Sequence, residues 1–245
     1  MARNSVAVLQ ILEVLGRGRA LGLSELAAQL SLPKTSVHRA LADLMEEGWV
    51  RAMEFPVHYF LSGKILRVAR GANGAADLSV AAGPVLDRLQ NLTQENVQLS
   101  TLEDGLVLAL ERRESTHALR VHLPLGEGLS WHATAVGRAI AGHLPAEQLE
   151  QLLSMELPAL TPHTTVDRAE LRRQIDRAVQ DGFVVNRGGW RTGVISIGAA
   201  ILDPLGAPVG GLSINSVESR MGPEDADALA LVVRDAAREI SQRLA

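Results

Sequence analysis

The chain has 245 residues, of which 47% are hydrophobic, and it contains no cysteine. This length is enough for two domains with buried cores, and the lack of cysteine excludes disulfides, thiol catalysis and cysteine-ligated zinc. No apolar run reaches the roughly 18 residues that a membrane span requires, and no signal-peptide core follows the first residues. We therefore expect a cytoplasmic protein with no membrane partner.

The formal net charge of −4 is unevenly distributed along the chain. Residues 1–75 contain nine Lys or Arg and six Asp or Glu, whereas residues 76–245 contain 15 Lys or Arg and 22 Asp or Glu. This asymmetry favours a polyanionic partner for the N-terminal part, although ordinary charge scatter would explain the same numbers. Residues 1–61 carry six charges of each sign, so a single copy should bind phosphates weakly. Dimerisation is expected to strengthen phosphate binding, as is the basic segment with Lys64, Arg67 and Arg70.

The first 61 residues show the order of elements in a winged helix. Apolar spacing predicts a helix over 5–16, a short helix over 24–30 and a third helix over 34–47. Ser24 and Ser31 are the expected N-caps of the second and third helices. Two short strands are then predicted around a turn that contains Pro56, with these bounds: 49–51 and 57–61.

The third helix begins with the sequence Lys-Thr-Ser-Val-His-Arg. In a helix-turn-helix, the N-terminal residues of the second helix of the motif reach base edges in the major groove. Basic side chains can contact phosphates or guanine, and hydroxyl or imidazole groups can contact phosphates or bases. The predicted DNA-contacting residues are Lys34, Thr35, Ser36, His38 and Arg39. The alternative is that residues 24–48 are simply a three-helix packing unit.

The rest of the chain alternates strands and helices after a helical linker. We expect a DNA-binding domain over 1–61, a linker helix over 62–77 and an effector-binding and oligomerisation domain over 78–245. Within the last domain the predicted strands are 97–103, 106–112, 119–123, 194–202 and 208–215. The predicted helices are 78–92, 133–143, 146–154, 167–181 and 224–244. This order predicts an α+β fold in which an antiparallel sheet is packed by helices, as in sensor domains.

Several stretches of the chain resemble the IclR family of transcription regulators. They are Ser24–Ala27 with Thr35–Leu41 and Gly48–Val50, Leu119–Val121 with His132–Ala139, and Asp181–Phe183 with Ala199–Asp203 and Gly211–Ile214. The match runs over nearly the whole length. It implies a winged helix-turn-helix, a GAF-like effector-binding domain, and a homodimer or tetramer on a palindromic operator in double-stranded DNA. It implies no cofactor, and it leaves open whether the chain represses or activates transcription.

The resemblance also implies where a small-molecule effector, such as a carboxylate or an aromatic metabolite, would bind. The residues carried over are Ala135, Val136, Asn186, Ser196, Ser213 and Asn215, with Ala118, Val121 and Trp131 as candidate apolar walls. Ser213 and Asn215 alternate on one strand and therefore share a face. The alternative for the serines is that they satisfy nearby backbone groups. The chain departs from the family at Asn186, at Ser196 and over 188–191, where Trp190 could stack on a ring or face solvent.

The rival interpretation is a metabolite-processing enzyme with an accessory DNA-binding head. The seven histidines show no His-Glu-x-x-His spacing, and the chain has no Gly-x-Ser-x-Gly elbow and no phosphate loop. His132 is the most plausible general base, but its place after Trp131 at the entry to a predicted helix fits packing or capping better. The sequence therefore favours a regulator without catalytic residues or a metal site.

Overall fold

The computed structural model describes residues 2–16, 18–53, 56–69, 75–122 and 128–244. The described residues form two compact units, one within residues 2–69 and the other within residues 75–244. The expected fold class is confirmed, because a three-helix unit with a small hairpin precedes an antiparallel sheet with packed helices. None of the helices in these ranges is long and apolar enough to cross a membrane.

The first unit is a winged helix-turn-helix built around one hydrophobic core. Its elements are α1 (Ala2–Gly16), α2 (Leu23–Leu30), α3 (Lys34–Glu46), β1 (Val50–Met53), β2 (His58–Leu61) and α4 (Lys64–Ala69). Ile11, Leu26 and Leu41 come from the three main helices and are at most 1% exposed. The two strands pair antiparallel from Val50 opposite Leu61. The core therefore holds α3 by its apolar side only.

Both predicted N-caps in this unit are wrong. Helix α2 begins one residue before Ser24, because the Glu25 carboxylate accepts a hydrogen bond from the Gly22 backbone N–H at 2.7 Å and so takes over part of the capping. Ser31 ends α2 with a left-handed φ of 51°. Pro33 is the N-cap of α3. The turn between the two helices needs Ser31 as a C-cap, and the same residue cannot then begin α3.

The second unit is a six-stranded antiparallel sheet in the order β5-β4-β3-β8-β7-β6. Its strands are β3 (Asn96–Glu103), β4 (Leu106–Arg113), β5 (Leu129–Ser130), β6 (Val184–Arg187), β7 (Val194–Leu202) and β8 (Pro208–Val217). Its helices are α5 (Ala75–Thr93), α6 (Ala135–Ala141), α7 (Ala146–Ser154), α8 (Arg168–Asp181) and α9 (Pro223–Arg243). The strands β5 and β6 are absent from the sequence prediction.

Two predicted elements near the middle of the chain differ from the structure. The expected strand over 119–123 is wrong over its described residues, 119–122. The carbonyls of this segment accept hydrogen bonds from side chains, as Asn96 Nδ2 donates to Val121 O at 3.1 Å. The expected helix over 133–143 is shorter. A 3₁₀ turn spans Trp131–Ala133, and Thr134 then caps α6.

The two faces of the sheet have different characters. On one face α5 and α9 pack against apolar side chains such as Leu99, Ile197 and Leu212, which are fully buried. On the other face α6 lies directly on two glycines, because a Cβ at Gly198 would come within 2.5 Å of the backbone nitrogen of Val136. Gly211 is close to the same helix. On the second face, the two glycines therefore let the backbone of α6 approach the sheet closely, next to polar side chains.

Candidate functional sites

The first candidate site is the outward face of α3. Val37, Ala40, Leu41 and Leu44 are buried at 3% exposure or less. The five residues predicted to contact DNA are all exposed and lie before Val37 or between Val37 and Ala40: Lys34, Thr35, Ser36, His38 and Arg39. The 3.6-residue period separates the two sets, since the buried positions recur every three or four residues. The face therefore presents two cations and three hydrogen-bonding side chains to a partner.

Of the basic segment with Lys64, Arg67 and Arg70, the structure describes the side chain of Lys64 only, and this side chain is engaged within the first unit. Lys64 Nζ donates to the backbone carbonyl of Glu47 at 2.6 Å and lies 4.8 Å from the centre of the Trp49 ring. These contacts hold the ammonium group within the unit. The side chain of Arg67 and the whole of Arg70 lie outside the described residues, as do Glu54 and Phe55, which stand between β1 and β2 in the sequence.

The second candidate site is a cavity between the sheet and α6. Ser196 on β7 pairs with Asn215 on β8, and Ser213 on β8 pairs with Gln98 on β3. These cross-strand pairs bring four buried polar side chains to one face of the sheet. The cavity is lined by Gln98, Val107, Leu129, Thr134, Ala135, Val136, Trp190, Ser196, Ser213 and Asn215. Five of the six residues predicted to bind an effector are thus brought together.

The polar groups of this cavity are only partly satisfied by one another. Asn215 Nδ2 donates to Ser213 Oγ at 3.3 Å, and Gln98 Nε2 donates to Ser100 Oγ at 2.9 Å. Neutral amides and hydroxyls can orient a polar ligand without burying a second charge beside it. The cavity volume is about 20 Å³, which suffices for roughly one water molecule. A metabolite would therefore have to widen it.

Asn186 is the exception among the predicted effector residues. Its register partner is Ser196, but its Nδ2 donates to the backbone carbonyl of Ala133 at 2.8 Å, and it lines a different cavity. The three predicted apolar walls also lie elsewhere. Trp131 is buried in the core with α7, while Ala118 and Val121 line a separate depression. The side-chain amide of Asn186 thus binds the backbone of the 3₁₀ turn rather than the effector cavity. The sequence could not show this contact, because the two residues are far apart in the chain.

Gln98 is a lining residue that the sequence analysis missed. Its signal is nonetheless present, because Asn96, Gln98 and Ser100 place a polar residue at every second position of a strand whose residues between them are apolar and buried. Trp190 also lines the cavity, and its ring lies 4.6 Å from the guanidinium carbon of Arg191. The exposed Arg187 instead donates to the backbone carbonyl of Gly222 at 3.4 Å.

His132, the candidate general base, is held in a structural role. Its ring is 1% exposed, and Nε2 lies 3.1 Å from the backbone carbonyl of Pro158. Burial lowers the pKa of His132, and the nearby charge of Arg138 lowers it further. The neutral ring thus fixes the turn before α6. Within the described ranges, no three His, Asp or Glu side chains are arranged to hold a metal ion.

Comparison with known proteins identifies both units. Residues 8–53 match the IclR helix-turn-helix domain, and residues 72–242 match the bacterial transcriptional regulator IclR C-terminal family. The chain is 30% identical over 225 residues to the HTH-type transcriptional regulator KipR of Bacillus subtilis, which covers 91% of this chain and 90% of that protein. It is 26% identical over 238 residues to the HTH-type transcriptional regulator KdgR of Dickeya chrysanthemi, with 97% and 78% covered.

A solved structure shows the same architecture with a ligand. An IclR homolog from Microbacterium hydrocarbonoxydans, complexed with 4-hydroxybenzoate, aligns with a TM-score of 0.85 and 25% identity over 98% of each chain. The exposed helix of the first unit and these matches define a DNA-binding transcriptional regulator rather than an enzyme. The chain belongs to the IclR family.

Proposed function

We propose that this regulator binds a palindromic operator as a homodimer or tetramer and that a small carboxylate or aromatic metabolite adjusts its operator affinity. In this proposal, residues 1–61 are the DNA-binding domain, residues 62–77 are the linker helix, and residues 78–245 are the effector-binding and oligomerisation domain. The observation that supports DNA binding most directly is the outward face of α3, which has five exposed polar side chains over a fully buried apolar side.

On this face, Lys34 and Arg39 are proposed to contact phosphates or guanine, and Thr35, Ser36 and His38 to position the helix. Because residues 1–61 are neutral overall, one copy should bind weakly, and two linked copies should bind a two-fold symmetric site. The half-sites are then expected about one helical turn apart or a multiple of it.

The test begins with selection of bound sequences from a random duplex library by the full chain. Against the selected duplex, Lys34→Ala/Arg39→Ala should weaken binding at least about tenfold and make the salt dependence shallower. The matched control is Arg173→Ala, which removes a cation from an exposed face of α8 in the second unit. Unchanged affinity of the double variant would refute the assignment, and selection of sequences without two-fold symmetry would refute the palindromic operator.

The effector proposal rests on the buried polar cluster that lines the cavity beside α6. Ser196, Ser213 and Asn215 are each at most 9% exposed, although only the last two hydrogen-bond to each other. Ala135 and Val136 close the cavity from the helix side. The related protein binds 4-hydroxybenzoate, which combines a ring and a carboxylate, and this compound is therefore the first probe.

Direct binding and the change in operator affinity should be measured separately on the full chain, first with 4-hydroxybenzoate and then with other small carboxylates. Ser213→Ala/Asn215→Ala should remove binding and the operator response together. The matched control, Asn91→Ala/Ser219→Ala, changes the same residue types at exposed positions of the same unit. An effector response that survives in the first double variant would disprove this cavity as the site while leaving DNA binding intact.

The proposed mechanism is a shift between arrangements of the linked DNA-binding units. A ligand that prefers one arrangement must change operator affinity, and the operator must change ligand affinity by the same factor. The free energy of this coupling is typically about 1–3 kcal/mol. Titrating the ligand with and without the operator checks this reciprocity. Sedimentation at several concentrations distinguishes dimer from tetramer.

A further inference from the structure

A second and larger cavity lies between α6, α8 and β6. Its volume is about 480 Å³, which is in the range of small-molecule sites, whereas the cavity proposed for the effector has about 20 Å³ by the same measure. Its lining includes the side chains Arg138, His163, Thr165, Gln174, Phe183 and Val185. Most of the lining groups are polar, and they come from α6, the loop before α8, α8, the β6 region and α9.

The most buried charge in this lining is the guanidinium of Arg138. The residue is 5% exposed and projects from α6. Its Nη1 donates to the side-chain oxygen of Gln174 at 2.5 Å, and its Nε donates to the backbone carbonyl of Thr134 at 3.4 Å. Both acceptors are neutral. Arg138 makes no ion pair with a carboxylate of the described residues, so among them its positive charge has no counter-ion.

One nitrogen of the Arg138 guanidinium has no partner among the described residues. Nη2 of Arg138 makes no hydrogen bond to a described residue, and it is not among the fully buried side-chain atoms that lack a partner. Because Arg138 lines the cavity, this accessible nitrogen is available to a ligand there. Burial lowers the pKa of Arg138 to about 10, so the group remains protonated near neutral pH. A buried cation without a counter-ion is unfavourable, and a bound anion would offset that cost.

The other charges around the cavity do not neutralise this one. The carboxylate of Glu170 accepts hydrogen bonds from Arg173 and Gln174, and these contacts lower the pKa of Glu170. The remaining charged side chains of the lining are exposed, two of them acidic and two basic: Asp181, Asp227, Arg177 and Arg187. Exposed charges are screened by water and salt, whereas the largely buried charge of Arg138 is screened much less.

We infer that this cavity binds the oxyanion group of a small metabolite, a carboxylate or a phosphate, through Arg138. The planar fork of an arginine suits two oxygens of one such group. The Thr165 hydroxyl and the His163 ring are further polar groups of the lining. The site is distinct from the proposed effector cavity, and its occupancy can be measured without DNA.

The experiment is titration of the full chain with inorganic phosphate and, separately, with acetate, at constant ionic strength set by chloride. Binding is followed by calorimetry and by the NMR signal of the Arg138 Nε–H group. At least one of the two anions should bind and shift that signal, which reports on this cavity and not on the effector cavity. Which anion binds more tightly distinguishes a phosphate site from a carboxylate site.

Variants locate the site. Arg138→Gln should weaken binding at least about tenfold, because a charge-assisted hydrogen bond is lost, and Arg138→Lys should weaken it less. Arg238→Gln, a matched change at an exposed arginine outside the cavity, should leave anion binding unchanged. Ser213→Ala/Asn215→Ala, in the effector cavity, should leave the anion-induced shift of the Arg138 Nε–H signal unchanged. If Arg138→Gln does not fold, Thr165→Val and His163→Ala test the same lining and should each weaken binding.

Three results would overturn the inference. The first is the absence of binding for both anions. The second is full binding by Arg138→Gln or, where that variant does not fold, by both lining variants. The third is loss of the shift at Arg138 Nε–H in Ser213→Ala/Asn215→Ala alone. Because none of these measurements involves DNA, a failure here is distinct from a failure of the proposed regulatory function.

Discussion

Helices α3 and α6 both begin at a tight turn, yet they present opposite surfaces. In α3 only the apolar residues at helical spacing are buried, whereas all seven residues of α6 are buried. Helix α6 lies against β7 and β8 and also contacts α8, so it has no side that faces water. Substitutions at the outward residues of α3 are therefore expected to leave the fold intact. Substitutions in α6, or in the strands beneath it, are expected to disturb packing.

The largest expected effect comes from closing the gap beneath α6. A Cβ at Gly198 would lie 2.5 Å from the Val136 backbone nitrogen, and neither backbone can move without disturbing the sheet or the helix. Gly198→Ala should lower the free energy of unfolding by about 3 kcal/mol. Denaturant unfolding followed by tryptophan fluorescence measures this. The control is Gly63→Ala, where a Cβ meets no atom within 4 Å. Equal midpoints for the two variants would contradict the close approach of α6.

A smaller effect is expected at the beginning of α6. Thr134 Oγ1 accepts a hydrogen bond from the Gly137 N–H at 3.2 Å, which satisfies one of the donors of the first turn. Thr134→Ala should lower the free energy of unfolding by about 1 kcal/mol, and Thr134→Ser should retain most of the stability. Thermal unfolding of the three proteins measures this difference. A serine variant as unstable as the alanine variant would show that the cap is not the cause.

Acid should weaken the second unit through its buried histidines. Burial lowers the pKa of both His132 and His143 below the ordinary value of 6.5, so the folded chain binds protons less readily than the unfolded chain. Their contribution to stability is complete above about pH 6.5 and is lost as the pH falls through the lowered pKa values. The unfolding midpoint should therefore decrease on acidification below pH 6.5. His132→Gln should reduce that slope, and an unchanged slope would exclude His132 as a contributor.

The smallest stability effect is expected on the outward face of α3. Ser36 is exposed, so Ser36→Ala should change the free energy of unfolding by no more than about 0.5 kcal/mol. The same variant should bind the selected operator more weakly, since the hydroxyl is a proposed contact. Thermal unfolding and operator binding are measured on the same preparation. Destabilisation as large as that of Thr134→Ala would remove the contrast between the two helices.

Much of the fold could be predicted because it follows from local signals. The apolar spacing in α3 fixed its inward side, and Asp167, whose carboxylate accepts from the Glu170 N–H at 2.7 Å, marked the start of α8. The Asp104-Gly105 pair marked a hairpin, and both residues have the positive φ that its tight turn requires. Each of these signals involves residues close together in sequence, so a single segment contains all the information.

The sites required long-range information. Ser196, Ser213 and Gln98 share a cavity only because the register of β7, β8 and β3 places them side by side. Asn186 is held by a backbone carbonyl 53 residues away, and Arg138 is buried among groups contributed by α8 and the loop before it. Periodicity along one segment shows which of its faces is buried, but not which neighbour covers that face. Strand register and helix packing, which are set by the whole domain, decide which polar groups meet.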